Sequence, residues 1–266
     1  MISVTSAQLT AWIALFVYPL ARILALISSA PVLGNKQIPI RIKISLAMLL
    51  TFIIAPNITV PSNIDPTSAE GILMLIQQIL AGLAMGFVMR LIFTAVEMAG
   101  DLAGMQMGLG FASFYDPVNA SYTPVLAQFL GVIATLAFLS MDGHLYMLAA
   151  LADSFQVFPV SATLPSTLAF HTLAEWGTVI FTHSLQLAMP LIGALMISNL
   201  ALGILTRSAP QLNIFAVGFP ITISVGFIAL ALTLPYLAPI LDHAVGLGLD
   251  TMQKIAGQMA NTSLKP

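Results

Sequence analysis

Arg90, Glu97 and Asp101 are charged side chains embedded in an otherwise apolar stretch, and at membrane depth they have the makings of a proton or ion relay. Other chemistry finds little to work with. His144, His171, His183 and His243 share no metal-ligand spacing; His171 and His183 stand twelve apart, which is not one helical turn. There is no cysteine, hence no thiolate metal site, disulfide or redox centre. No His-Glu-x-x-His or glycine-rich phosphate loop occurs, and Gly110-Phe-Ala-Ser113 lacks the turn that exposes a serine nucleophile. The sequence therefore predicts neither catalysis nor a cofactor nor a metal. A different kind of signal is Arg207, the one Lys or Arg between Arg90 and Lys254, set in the polar turn Thr206-Arg207-Ser208-Ala209-Pro210-Gln211-Leu212-Asn213. A cation at the centre of a membrane helix costs ~2.5–3.5 kcal/mol on insertion scales, so this one belongs at an end, a cavity or a protein contact.

The elements that carry these residues are membrane-type. Of 266 residues 59% are hydrophobic and 7% charged, too few charges to cover a water-facing surface. A net charge of -2 offers no basic footprint for nucleic acid. Apolar stretches fall at Leu9–Leu33, Ile42–Ala55, Gly71–Val96, Pro124–Leu139, Thr178–Leu205 and Ile214–Leu241. The first, third, fifth and sixth reach the ~20 residues that a span needs. The second is a hairpin partner or a half-span, and the fourth qualifies if it continues past Ser140 and Asp142. Five to seven long helices are expected. The N-terminus lacks the basic region of a cleaved signal, so the first helix is expected to be retained. From Ser68 to about Gly110 the chain holds no proline, which predicts one helix of ~60 Å, twice the hydrocarbon thickness.

Loop charges orient the spans. Lys36, Arg41 and Lys43 follow the first and Arg207 follows the fifth, while segments 56–70 and 140–177 hold acids but no Lys or Arg. The positive-inside rule puts 34–43 and 206–213 in the cytoplasm. The tail, with Lys254 and Lys265, breaks the parity, which suggests a partial helix near Leu241–Ala260 and leaves its side open. Arg22, inside the first stretch, either snorkels or pairs locally.

Small residues recur at Gly82/Gly86 and at Gly100/Gly104/Gly108/Ala112, on one helix face where another backbone can approach. Glu97 and Asp101 lie on or beside the second stripe. It serves either a contact inside the chain or a face toward another subunit. The least regular segment is Gly108-Leu-Gly110-Phe111-Ala-Ser-Phe114-Tyr115-Asp116-Pro117-Val-Asn119-Ala-Ser-Tyr122-Thr-Pro124. It reads as an inter-helix loop with interfacial aromatics, or as a loop folded into a pore, where an aromatic constriction excludes water.

Three stretches resemble a known family: Pro31–Lys43, Gly108–Pro124 and above all Asn199–Pro220, whose Asn199, Arg207, Pro210, Gln211 and Asn213 stand in fixed order against apolar neighbours. The whole chain is similar to the FliR family, the export-gate subunit of flagellar type III secretion. The resemblance implies an all-α, non-enzymatic subunit of helical hairpins. It would pack with several FliP and FliQ subunits into a helical gate in the bacterial inner membrane at the flagellar basal body. It further implies contacts with FlhB and FlhA, a FliP-like part over residues 1–165, and a FliQ-like hairpin over 166–266. Residues 106–123 would be the channel plug, carried by Gly108, Gly110, Phe111, Phe114, Tyr115, Asp116, Pro117, Asn119 and Tyr122. Gly100, Gly104, Glu97 and Asp101 would meet neighbouring subunits, and Arg207, Pro210, Gln211 and Asn213 would form the cytoplasmic hairpin tip. Unfolded flagellar proteins would pass through the channel, with lipid touching what the subunits leave bare. The alternative from the residues alone is a small secondary transporter with an acidic midplane site, although the inverted repeat usual in such proteins is missing.

Overall fold

The computed structural model of the chain describes residues 6–61, 65–111, 124–161, 166–211 and 213–260. Among the described residues every regular element is helical: α1 (Ser6–Ser29), α2 (Ile40–Ile54), α3 (Ala69–Gln106), α4 (Val125–Ser140), α5 (Gly143–Val157), α6 (Thr167–Trp176), α7 (Val179–Ser208), α8 (Ile214–Thr233) and α9 (Leu237–Ala260). The fold is all-α, as the composition and the resemblance both imply. Five helical runs are long and apolar enough to cross a membrane, and six if α4 and α5 count as one bent span.

The proline-free stretch forms a single helix of 38 residues, about 57 Å at 1.5 Å per residue. Its start is fixed locally. The Asp65 carboxylate accepts the Thr67 amide at 2.9 Å and the Thr67 hydroxyl at 2.8 Å, and the Ser68 hydroxyl in turn accepts the Gly71 amide at 3.1 Å. These bonds to the charged form hold the Asp65 carboxyl below its ordinary range.

Three features depart from the sequence reading. The fourth apolar stretch does continue past Asp142, but α4 and α5 meet at 66°. Asp142 occupies the left-handed region at φ 55, which aspartate tolerates better than most residues, and the helix axis turns there. The expected partial helix near the C-terminus is a full helix of 24 residues, α9. Its buried Leu241, Ala244, Val245, Met252, Ile255 and Met259 recur every three, four or seven residues, while Asp242, Asp250 and Lys254 are exposed. Its charges lie on the outer face and mask the apolar one in a plain hydropathy reading. The third is α6, which no long apolar run announced.

The chain divides into two compact units. One comprises residues 1–91, 142–177 and 245–266; the other comprises 92–141 and 178–244. In the first, α3 approaches α1 closely enough that a Cβ on Gly82 would strike the Arg22 carbonyl, and one on Gly86 would lie 2.9 Å from the Ala30 nitrogen. Tyr18, Ile23 and Leu26 of α1 and Met74 and Met85 of α3 are buried. Trp176 of α6 donates its indole N–H to the Val88 carbonyl at 3.0 Å. In the second unit α7 and α8 form the antiparallel hairpin, and Phe93 meets Phe138 edge-on with ring centres 5.3 Å apart.

Candidate functional site

The irregular segment begins where α3 is closed off. Met107 donates to the Ala103 carbonyl at 2.9 Å and Gly108 to the Met105 carbonyl at 3.0 Å. Gly108 has φ 82, a left-handed conformation that ends a helix and favours glycine. A tight turn over Leu109–Phe111, which includes Gly110, follows. The Phe111 side chain and residues 112–123, with Phe114, Tyr115, Asp116, Pro117, Asn119 and Tyr122, lie outside the described residues.

The root of that segment is seated on α8. Met107 is fully buried, and its carbonyl accepts the Thr222 hydroxyl at 3.3 Å. One turn along, a Cβ on Gly226 would lie 2.5 Å from Met107 Cγ, so the bare glycine makes room for the methionine. Nothing in the sequence singles out Met107 by itself. The i, i+4 pair of a hydroxyl and a glycine in α8 was its available signal.

The acid-bearing stripe of α3 meets α4 within the chain. A Cβ on Gly100 would come 2.7 Å from Ala127 Cα, and one on Gly104 would touch Leu126 Cβ at 3.7 Å. Glu97 lies along Gly131, where an added Cβ would stand 3.3 Å from Glu97 Cγ. Arg90, Glu97 and Asp101 each have a polar or electrostatic interaction. A cavity of about 300 Å³ in the second unit is lined by Ala99, Ala103, Leu187, Leu191, Leu230 and Leu237, among others. Such walls suit hydrocarbon rather than a reacting polar group. Among the described residues no cluster of three or more His, Cys, Asp or Glu stands ready for a metal ion.

Arg207, Pro210, Gln211 and Asn213 are all exposed at the turn between α7 and α8. Arg207 sits in the last turn of α7, where a cation complements the helix dipole. Asn213 takes the opposite role for α8, its side-chain oxygen accepting the Ala216 amide at 3.4 Å. The two polar residues thus close one helix and open the next.

Arg22 neither snorkels nor finds an acid. It is completely buried, with its guanidinium bonded to Gln78, Ser154 and Phe158 and stacked over the Phe155 ring at 4.1 Å. The sequence signal was a mid-span arginine together with the mid-span Gln77-Gln78 pair. Ser154 and Phe158 come from more than 130 residues away, and no local pattern pointed to them.

Residues 13–247 match the family described as bacterial export proteins, family 1. The flagellar biosynthetic protein FliR of Pectobacterium carotovorum subsp. carotovorum is 45% identical over 98% of this chain and 100% of its own length. The protein of that name from Escherichia coli strain K12 is also 45% identical, over 91% of this chain and 93% of its own. That from Bacillus subtilis strain 168 is 28% identical over 90% and 93%. With the match running through every spanning helix, the chain belongs to the FliR family of bacterial export proteins.

Proposed function

We propose that this chain is a non-enzymatic subunit of the flagellar type III export gate, in the bacterial inner membrane at the basal body. It forms part of the channel and its plug and passes unfolded flagellar proteins. The observation that carries this reading is the near-full-length similarity to proteins named for flagellar biosynthesis. The FliP-like part spans 1–165 and the FliQ-like hairpin 166–266, with FliP and FliQ as neighbours and FlhB and FlhA at the cytoplasmic side.

Physical features support an assembled subunit. Large apolar side chains stay exposed along the spanning helices, among them Phe52, Ile197, Leu200, Ile228 and Leu232, and α3 is far longer than a bilayer is thick. In the same reading Gly100, Gly104, Glu97 and Asp101 lie near a subunit boundary, and Arg207–Asn213 forms the cytoplasmic tip. The plug occupies residues 106–123. Its root is held by Met107 on Thr222 and Gly226, and its seal is made by Phe111, Phe114, Tyr115 and Tyr122.

The test has two parts. A tagged chain should co-purify with several small membrane subunits, and it should restore flagellar export to cells lacking their own copy. Replacing Phe111, Phe114 and Tyr115 with alanine should then raise ion leakage through the closed complex. A chain that purifies alone as a stable monomer contradicts the assembly, and unchanged leakage in the triple variant contradicts the plug.

A further inference from the structure

Gln77 and Gln78 interrupt the apolar surface of α3, and the first unit satisfies only one of the polar atoms of their two side-chain amides. Gln78 Oε1 accepts Arg22 Nε at 2.8 Å. A guanidinium can only donate, so this bond fixes which way the Gln78 amide points. Its Nε2 then has no hydrogen-bond partner among the described residues. Gln77 has a partner on neither Oε1 nor Nε2, so exchanging its two atoms changes nothing. Yet the two residues are only 1% and 0% exposed. An amide buried without bonds is costly, and the low dielectric of a packed helical interior raises that cost.

The bonding pattern narrows what can answer these atoms. Arg22 does not, because its nitrogens already meet Gln78, Ser154 and Phe158 and it offers no acceptor. This chain itself covers both glutamines, which leaves a neighbouring subunit no access. An anion would serve the two nitrogens and leave Gln77 Oε1 unmet. A metal cation would serve that oxygen alone and would sit close to a buried arginine.

A small molecule that donates and accepts at once serves both ends of the Gln77 amide, and water is the one that packed protein interiors hold for this purpose. We propose that Gln77 and Gln78 form a binding site for internal water beside Arg22, where α3 passes α1. Water accepts from Gln77 Nε2 and Gln78 Nε2 and donates to Gln77 Oε1. The consecutive glutamines are then a hydration site built into α3, and the polar groups around Arg22 are solvated from inside the unit. Met74 borders that site: it is completely buried and lies three residues before Gln77, a spacing that sets two helical side chains next to each other.

The experiment is X-ray radiolytic labelling of the full chain, in the complex with which it co-purifies, with a scavenger that removes radicals formed in bulk solvent. Ionising a bound water makes a hydroxyl radical in place, and a neighbouring methionine sulfur is oxidised by it. Met85 is the internal reference, equally buried and about 12 Å further along the same helix, where α3 carries apolar side chains only. The expected result is oxidation of Met74 several-fold faster than that of Met85. Gln77→Leu removes both unmet atoms of the first amide and should lose most of that excess while the complex still co-purifies. If the variant fails to assemble, the comparison of Met74 with Met85 in the unaltered protein decides alone. Equal oxidation of the two methionines, or an undiminished excess in Gln77→Leu, overturns the proposal. So does a map of the complex that shows an ion or a protein side chain bonded to the Gln77 amide in place of water.

Discussion

Arg22 and Ser154 are joined twice: one guanidinium nitrogen, Nη1, donates to the Ser154 carbonyl at 3.0 Å and to its hydroxyl at 3.1 Å. The hydroxyl in turn donates a hydrogen bond to the Leu151 carbonyl at 2.6 Å. Nη2 reaches the Phe158 carbonyl at 2.8 Å, and Nε reaches the Gln78 side-chain oxygen at 2.8 Å. Two of these acceptors are carbonyls at the C-terminal end of α5, where the helix dipole is negative. The arginine is thus stabilised by a helix end, an amide and two aromatic faces instead of a carboxylate.

That arrangement needs a planar fork, which lysine lacks. Arg22→Lys keeps a buried charge but loses most of its bonds, and is expected to cost about 3–5 kcal/mol. Arg22→Met removes the charge together with the bonds and should cost less. Thermal unfolding of the detergent-solubilised protein compares them, and a lysine variant as stable as wild type contradicts this account.

Glycines along the helices divide by what lies opposite them. An alanine at Gly100 would press on the α4 backbone at Ala127, whereas one at Gly193 or Gly203 in α7 would meet nothing within 4 Å. Gly100→Ala should therefore destabilise by about 1–3 kcal/mol. Gly193→Ala should leave the isolated chain unchanged or raise its stability by up to about 1 kcal/mol. Protease resistance of the purified variants reads out the order.

Acid should loosen the start of α3. The Asp65 carboxyl has a folded pKa depressed by its bonds to Thr67, so its stabilising contribution is present above the unfolded pKa of about 3.9 and is lost as pH falls through the folded value. Asp65→Asn keeps an acceptor but cannot titrate. The wild type should lose protection of the 65–71 amides to hydrogen exchange below about pH 4, and the variant should lose less.

Crowding the seat of Met107 should disturb whatever follows it. Gly226→Leu leaves no room for the methionine, while Thr222→Val removes one bond and keeps the shape. Leakage through the assembled complex is expected to rise clearly with the first and slightly with the second. Wild-type tightness in Gly226→Leu, with the complex intact, contradicts a role for the seat.

The helices were readable because their causes are local. A proline-free run gave α3, and the polar break at Arg207–Asn213 gave the hairpin between α7 and α8. Asp142 and Ser140 marked the break between α4 and α5, but the 66° turn depends on a backbone angle that the letters do not specify. The C-terminal helix was underestimated because Asp242, Asp250 and Lys254 dilute its hydropathy while its periodicity carries the signal. Arg22 and Met107 were visible as residues but not as sites, because partners from distant segments define both.

The space that Gly226 leaves for Met107 ties two distant codons together. Position 226 can gain a methyl group only if position 107 gives up reach, so neither is free to drift alone. Substitutions there should arrive in compensating pairs, and a single change at either place, however conservative it looks on paper, carries a handicap until its counterpart follows.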